Sequence, residues 1–142
     1  VSDHGPVPRP AHGAVTQVHG AEHRGRLAYS PDLDGLADPG EVVWAWVPFE
    51  DDPSVGKDRP LLVVGRTGRF LLALMLSSKP HECSHDWLDL GAGAWDRDGR
   101  PSWLRLDRVY ELHENDLRRE GAMLAPDRFG RVVDALHTRG WH

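Results

Sequence analysis

Arg59, Ser77 and Lys79 are the residues whose types and spacing point to chemistry. The segment Gly40–Lys79 holds three apolar runs: Glu41–Val47, Pro60–Gly65 and Phe70–Leu76. The first two flank a polar loop that ends in Arg59-Pro60. The third stops at the hydroxyl pair Ser77-Ser78, followed by Lys79. From Arg59 to His81 there is no acidic residue, whereas Arg59, Arg66, Arg69 and Lys79 are all cationic. A guanidinium at one strand start and a hydroxyl at another strand end can converge on one phosphate. The planar fork of arginine pairs two phosphoryl oxygens and stays protonated, and a serine hydroxyl adds a donor. That is the outline of a phosphodiester-cleaving site. The competing reading of Arg59 is a surface side chain bridging Asp58 or the acids at Glu50–Asp52.

The elements that must position these residues are mostly strands. Glu41–Val47 is rich in Val and Trp and ends at Pro48, as a strand should. Pro60–Val64 is a near-continuous apolar run, and Arg66-Thr67-Gly68-Arg69 is a turn into Phe70–Leu76, which predicts a hairpin. Trp87–Leu90 and Ser102–Leu106 form a further pair around the turn dipeptide Asp98-Gly99, and Asp107–His113 follows as another strand. Asn115–Arg119 reads as a short helical turn and Gly121–Leu124 as a last short strand. Pro126 suits the first position of a closing helix, Asp127 suits its positive end and Gly140 its stop. Phe129, Val132, Val133 and Leu136 share one face of that helix, a core stripe or a dimer seam. The fold class is therefore mainly β with a C-terminal helix (α+β), a small, strongly bent barrel with the helix packed on it. Residues 1–38 read as a flexible N-terminal arm and lead-in loop, and residues 39–142 as one folded domain. Four dispersed histidines in the arm, His4, His12, His19 and His23, are read as incidental.

Composition narrows the class. A chain of 142 residues is one domain's worth. With a single cysteine, Cys83, no intrachain disulfide forms, and a reducing cytosol is the default compartment. No apolar stretch is long enough to span a membrane, and the N-terminus lacks the apolar core of a signal peptide, so the expectation is a cytoplasmic protein. A formal charge of −5 argues against generic nucleic-acid binding. Over half of the acids lie in Glu50–Asp52, Asp86–Asp98 and Asp107–Glu120, away from Arg59–His81, which leaves a local basic groove suited to a short single strand.

The order of Pro39-Gly40-Glu41-Val42-Val43-Trp44, a polar loop, Arg59-Pro60 before an apolar strand, and a strand closing on Ser77-Ser78 resembles the MazF/PemK toxin endoribonucleases. The resemblance continues through Asp107–His113, similar to that family's late strand, and Pro126–Leu136, similar to its closing helix. It implies an SH3-like barrel and the toxin of a type II toxin–antitoxin pair. That toxin would be a homodimeric endoribonuclease, independent of ribosome, metal and cofactor, with its groove near the subunit interface. It implies single-stranded RNA as substrate, with 2′,3′-cyclic phosphate and 5′-hydroxyl products. The expected partner is a cognate antitoxin with a disordered acidic tail, through which alone DNA would be met. By position Arg59 matches the family's catalytic arginine. Ser77 matches the hydroxyl, usually threonine, that bonds the scissile phosphate. Lys57, Ser78, Lys79 and His81 are the expected RNA contacts, with Ser78 on the face opposite Ser77. Many relatives carry Ser-Glu-Gln in the first loop. Here Ser54 stands where the glutamate would be, so no general base is assigned, and Glu50, Asp51, Asp52 and Asp58 are the carboxylates within that loop.

Two other constellations compete. His81, Cys83 and His85 alternate along an extended segment and carry metal-capable side chains, but the familiar zinc spacings are missing, and no metal is assigned. Trp44 and Trp46 share a strand face, which favours core packing, whereas Trp87, Trp95 and Trp103 fall near turns and can line a groove. The alternative to a nuclease is a non-catalytic SH3-like binding module using the same groove for a peptide or protein partner.

Overall fold

Apolar residues in Glu41–Pro48 and Phe70–Ser77 do not alternate with polar ones, and the reason is that both faces of these strands are covered. In a computed structural model, which describes residues 7–8, 16–18, 39–49, 51–67, 70–79, 85–113 and 116–141, they form strands β3 and β5. The full order is β1 (Val7–Pro8), β2 (Thr16–Val18), β3, β4 (Val55–Thr67), β5, β6 (Trp87–Gly91), β7 (Ser102–Arg105), β8 (Val109–His113), β9 (Arg118–Met123) and helix α1 (Pro126–Thr138). All pairings are antiparallel, along the path β2-β8-β5-β4-β3-β9. β6 and β7 form the hairpin expected around Asp98-Gly99, and β7 continues along β5 where β8 leaves off, pairing Leu76 with Leu104 and Ser77 with Trp103. A mostly antiparallel sheet with one C-terminal helix is the fold class the sequence pattern predicts.

Even-numbered residues of β3 to β5, among them Val42, Leu62, Leu72 and Leu74, share a core with Phe129, Val132 and Leu136 of α1. Odd-numbered residues, among them Val43, Leu61, Leu71 and Ala73, form a second buried cluster with Tyr110 and Leu112. The apolar stripe of the helix is thus core, with Val133 packed at its margin. Pro126 opens the helix and Asp127 sits in its first turn. Past its end, Gly140 (φ 93°) lets the Trp141 N–H reach the Leu136 carbonyl at 3.0 Å.

Two local expectations need correcting. β4 begins at Val55, not Pro60, because β3 pairs with it as far as Pro48↔Gly56 and carries polar residues into the sheet. Arg118 and Arg119, read as the end of a helical turn, already belong to β9, where pairing to Val43 and Trp44 takes over. Their side chains bind carboxylates of opposite setting. Arg119 holds buried Glu41 through two bonds of 2.8 and 2.9 Å, whereas Arg118 holds Asp58 at the surface.

These settings predict unequal energies. Arg119→Met should destabilise the protein by about 2 kcal/mol. That is less than the roughly 3–5 kcal/mol of a fully buried pair, because Arg119 itself reaches solvent. Arg118→Met should cost about 1 kcal/mol or less. Urea unfolding of the two variants side by side checks this, and equal losses would contradict it.

Candidate active site

β4 and β5 pair from Thr67↔Phe70 to Leu61↔Met75 and then part. Pro60, which has no N–H to give to a ladder, stands at the parting, and β5 turns to β7 instead. Two residues beyond the last pair stand Arg59 on β4 and Ser77 on β5. With a period of two, Arg59 shares its face with Leu61 and Val63, and Ser77 shares its face with Ala73 and Met75. Those four apolar residues lie in one cluster, so Arg59 and Ser77 project from the same side of the sheet.

Both border a cleft of about 290 Å³ that fills the gap between the strands. Lys57, Ser78 and Lys79 border it too. Ser78 was expected on the opposite face. The strand ends at Ser77 and the chain bends at Ser78, so strict alternation no longer applies there. The Ser77 Oγ accepts the Lys79 N–H at 3.2 Å, which leaves its own hydroxyl proton to donate. His81, the remaining expected contact, and Cys83 lie outside the described residues. Among the described residues no group of three or more His, Cys, Asp and Glu is placed to hold a metal ion.

Arg59 does not bridge Asp58. The Asp58 carboxylate is taken by Arg118, with bonds of 3.1 and 2.7 Å. Asp96, the other acid on the cleft, accepts from Arg100 Nε at 3.1 Å and from the Asp98 N–H at 2.9 Å. Among the described residues no carboxylate pairs with Arg59. Burial pushes its guanidinium below its ordinary value, with Tyr110 opposing in smaller measure, and an arginine so placed remains charged at neutral pH. A half-buried cation without a counter-ion, beside a hydroxyl, is a site for an anion. Of the loop carboxylates, Asp52 accepts from the Ser54 N–H and hydroxyl at 3.2 and 2.6 Å in a local turn, and Asp51 is exposed away from the cleft. Glu50 lies outside the described residues.

Of the floor and far wall, the sequence pointed only to the tryptophans near turns. Trp95 is buried and donates to the Ser102 Oγ at 2.8 Å. Trp44 borders the cleft instead of packing beside buried Trp46, and its Nε1 is buried with no hydrogen-bond partner among the described residues. Helix α1 braces the segment that carries Trp87. Arg131 donates to the Asp89 carbonyl at 2.8 Å, Arg128 to that of Ala92, and Arg139 to that of His85 at 3.2 Å. Trp87 and Trp95 thus line the cleft as anticipated, whereas Trp103 does not.

The match to a known family can now be read against this geometry. A model of the PemK-like, MazF-like toxins of type II toxin–antitoxin systems matches residues 38–138. The chain belongs to this family. Comparison with curated proteins found no match. Membership gives this MazF-like chain the character of a toxin that has an antitoxin partner. Among the described residues no helix is long and apolar enough to cross a membrane.

The segment leading to Arg59 is held close to β3. A Cβ on Gly56 would sit 2.1 Å from the Val47 carbonyl oxygen and 2.9 Å from the Pro48 Cα, both backbone. Gly56→Ala should therefore force the strands apart and cost about 3 kcal/mol, at the upper end of overpacking. A thermal melt within a degree of the parent would contradict this.

Proposed function

We propose that this MazF-like protein is an endoribonuclease that cuts single-stranded RNA by internal transesterification. The observation that carries the reading is half-buried Arg59, with no carboxylate partner among the described residues, lining with Ser77 the cleft left by β4 and β5. The RNA brings its own nucleophile. The 2′-hydroxyl gives its proton to solvent as its oxygen attacks the adjacent phosphorus, the bond to the 5′-oxygen breaks as that oxygen takes up a proton from solvent, and the products are a 2′,3′-cyclic phosphate and a 5′-hydroxyl. Neither a metal nor a ribosome is needed for that bond exchange.

Arg59 binds the non-bridging oxygens and gains strength as negative charge builds on the phosphorane, so its effect falls on the transition state. The Ser77 hydroxyl donates to the same phosphoryl group. Lys57 and Lys79, at the two rims, and Ser78 contact the flanking backbone, and His81 extends that path. The carboxylates near Arg59 are engaged by Arg118 and Arg100, so the cation's field is not cancelled at short range. Resemblance to the family supplies the remainder: a cytoplasmic homodimer whose groove is blocked by the acidic tail of a cognate antitoxin.

Incubation of a long single-stranded RNA with the full chain in excess EDTA tests this. Wild type should cut and leave cyclic-phosphate ends. Arg59→Ala should lose roughly 10²–10³-fold in rate, as for removal of one preorganised oxyanion donor. Ser77→Thr should keep most activity and Ser77→Ala should lose about tenfold or more, because only threonine retains the donor. Absence of cutting by folded wild type across varied RNAs would favour a binding module using the same cleft.

A further inference from the structure

The cleft does not end at Arg59. Past Trp44 and Trp95 it opens into a second space of similar size, about 290 Å³, and the two share Trp44, Asp58, Trp95, Asp96 and Arg100 as a common wall. The charge changes sign along this trough. Around Arg59 the additional rim groups are Lys57 and Lys79, whereas in the second space they are Arg97, Asp98, Arg118 and Glu120. Phosphate is favoured in the first half and disfavoured in the second, where carboxylates outnumber guanidinium groups.

We propose that the second half is a base-selecting subsite, and that it selects guanine for a nucleotide flanking the scissile phosphate. The inference rests on the nuclease reading above and names its specificity. The partly exposed Trp44 indole lines the space over buried Trp95, and an aromatic face stacks any base. Selection comes from the polar groups. Asp58 is saturated by Arg118, and Asp96 by Arg100 and a backbone N–H. Asp98 has only a loose contact with Arg100, at 4.0 Å, and is 78% exposed. Glu120 lines the second space together with Arg118, whose charge it feels, and no hydrogen bond engages its carboxylate among the described residues. A carboxylate offers two coplanar acceptors. Guanine alone among the four bases presents two parallel N–H donors, N1–H and N2–H, on one edge, and carries the acceptors O6 and N7 besides. Trp44, whose Nε1 is buried with no hydrogen-bond partner among the described residues, stands at the wall shared by both halves, and its donor is matched by a base acceptor. Glu120 therefore reads the donor edge, and Trp44 with Arg100 faces the acceptor side.

Two measurements on the full chain test this. Sequencing the 5′-hydroxyl ends released from a long RNA in EDTA should place guanine at one fixed position beside the cut, preferred roughly tenfold or more. Glu120→Gln, which replaces one acceptor oxygen by a donor, should still cut but with that preference reduced to near parity. Cutting by wild type with no guanine preference at either flank overturns the subsite and leaves the nuclease reading standing. Unchanged preference in Glu120→Gln overturns the role of Glu120. The second measurement does not depend on cleavage: tryptophan fluorescence titrations with the 3′- and 5′-monophosphates of guanosine, adenosine, cytidine and uridine. A guanosine monophosphate should bind about tenfold tighter than the others, and less so in Glu120→Gln. Equal binding of all four, or none, overturns the proposal whether or not RNA is cut.

Discussion

The parting of β4 from β5 is the constraint on which the candidate site depends. As far as Leu61↔Met75 the two strands are an ordinary antiparallel pair. Beyond that pair β5 runs beside β7, and among the described residues β4 pairs only with β3 until β1 joins it at Val55 and Gly56. The edge from Lys57 to Pro60 thus faces a space instead of a neighbour. Pro60 reduces the cost of this opening, since it has no N–H to leave unpaired. Because the space is bounded by strands and not by a loop, Arg59 and Ser77 inherit the rigidity of the sheet. Their separation is set by the buried rows Leu61–Met75 and Val63–Ala73 beneath them.

Three ion pairs complete the arrangement by deciding which cation stays available. Arg119 neutralises Glu41 in the interior, Arg118 takes Asp58, and Arg100 takes Asp96. The second and third engage the carboxylates on the cleft that would otherwise compete for Arg59, whereas the first serves the interior. The exposed pairs contribute little to stability on their own. Their importance is electrostatic: they let a chain of net charge −5 keep a positive corner in one cleft.

Much of this was legible in the sequence because it is local. Unbroken apolar runs mark β3 and β5, Pro126 and Gly140 bracket α1, and Arg59-Pro60 and Ser77-Ser78 stand out as the residues that line the cleft. The first part of β4 was not legible, since Gly56, Lys57 and Asp58 have turn-like composition and are held in the sheet only by β3. The far wall escaped for a different reason. Asp58 and Arg118 are 60 positions apart, so no periodic or spacing signal joins them. Trp44 was misread because alternation gives the face of a residue but not where the covering layer stops. Trp46 is buried and Trp44, two residues away on that face, borders the cleft.

On the proposed mechanism, charge stabilisation carries more of the work than proton transfer. Ser54, in the first loop, is turned back onto Asp52. The two carboxylates at the Arg59 end of the trough are Asp58 and Asp96, and each already holds a guanidinium. For Asp58 to accept the 2′-hydroxyl proton it must leave a two-bond contact with Arg118, and Arg118 would then draw phosphate toward the wrong half of the trough. The arrangement is therefore better suited to holding the phosphorane than to removing a proton. Substrate positioning against Arg59, and with it the fit of the flanking base, then sets how fast a given RNA is cut.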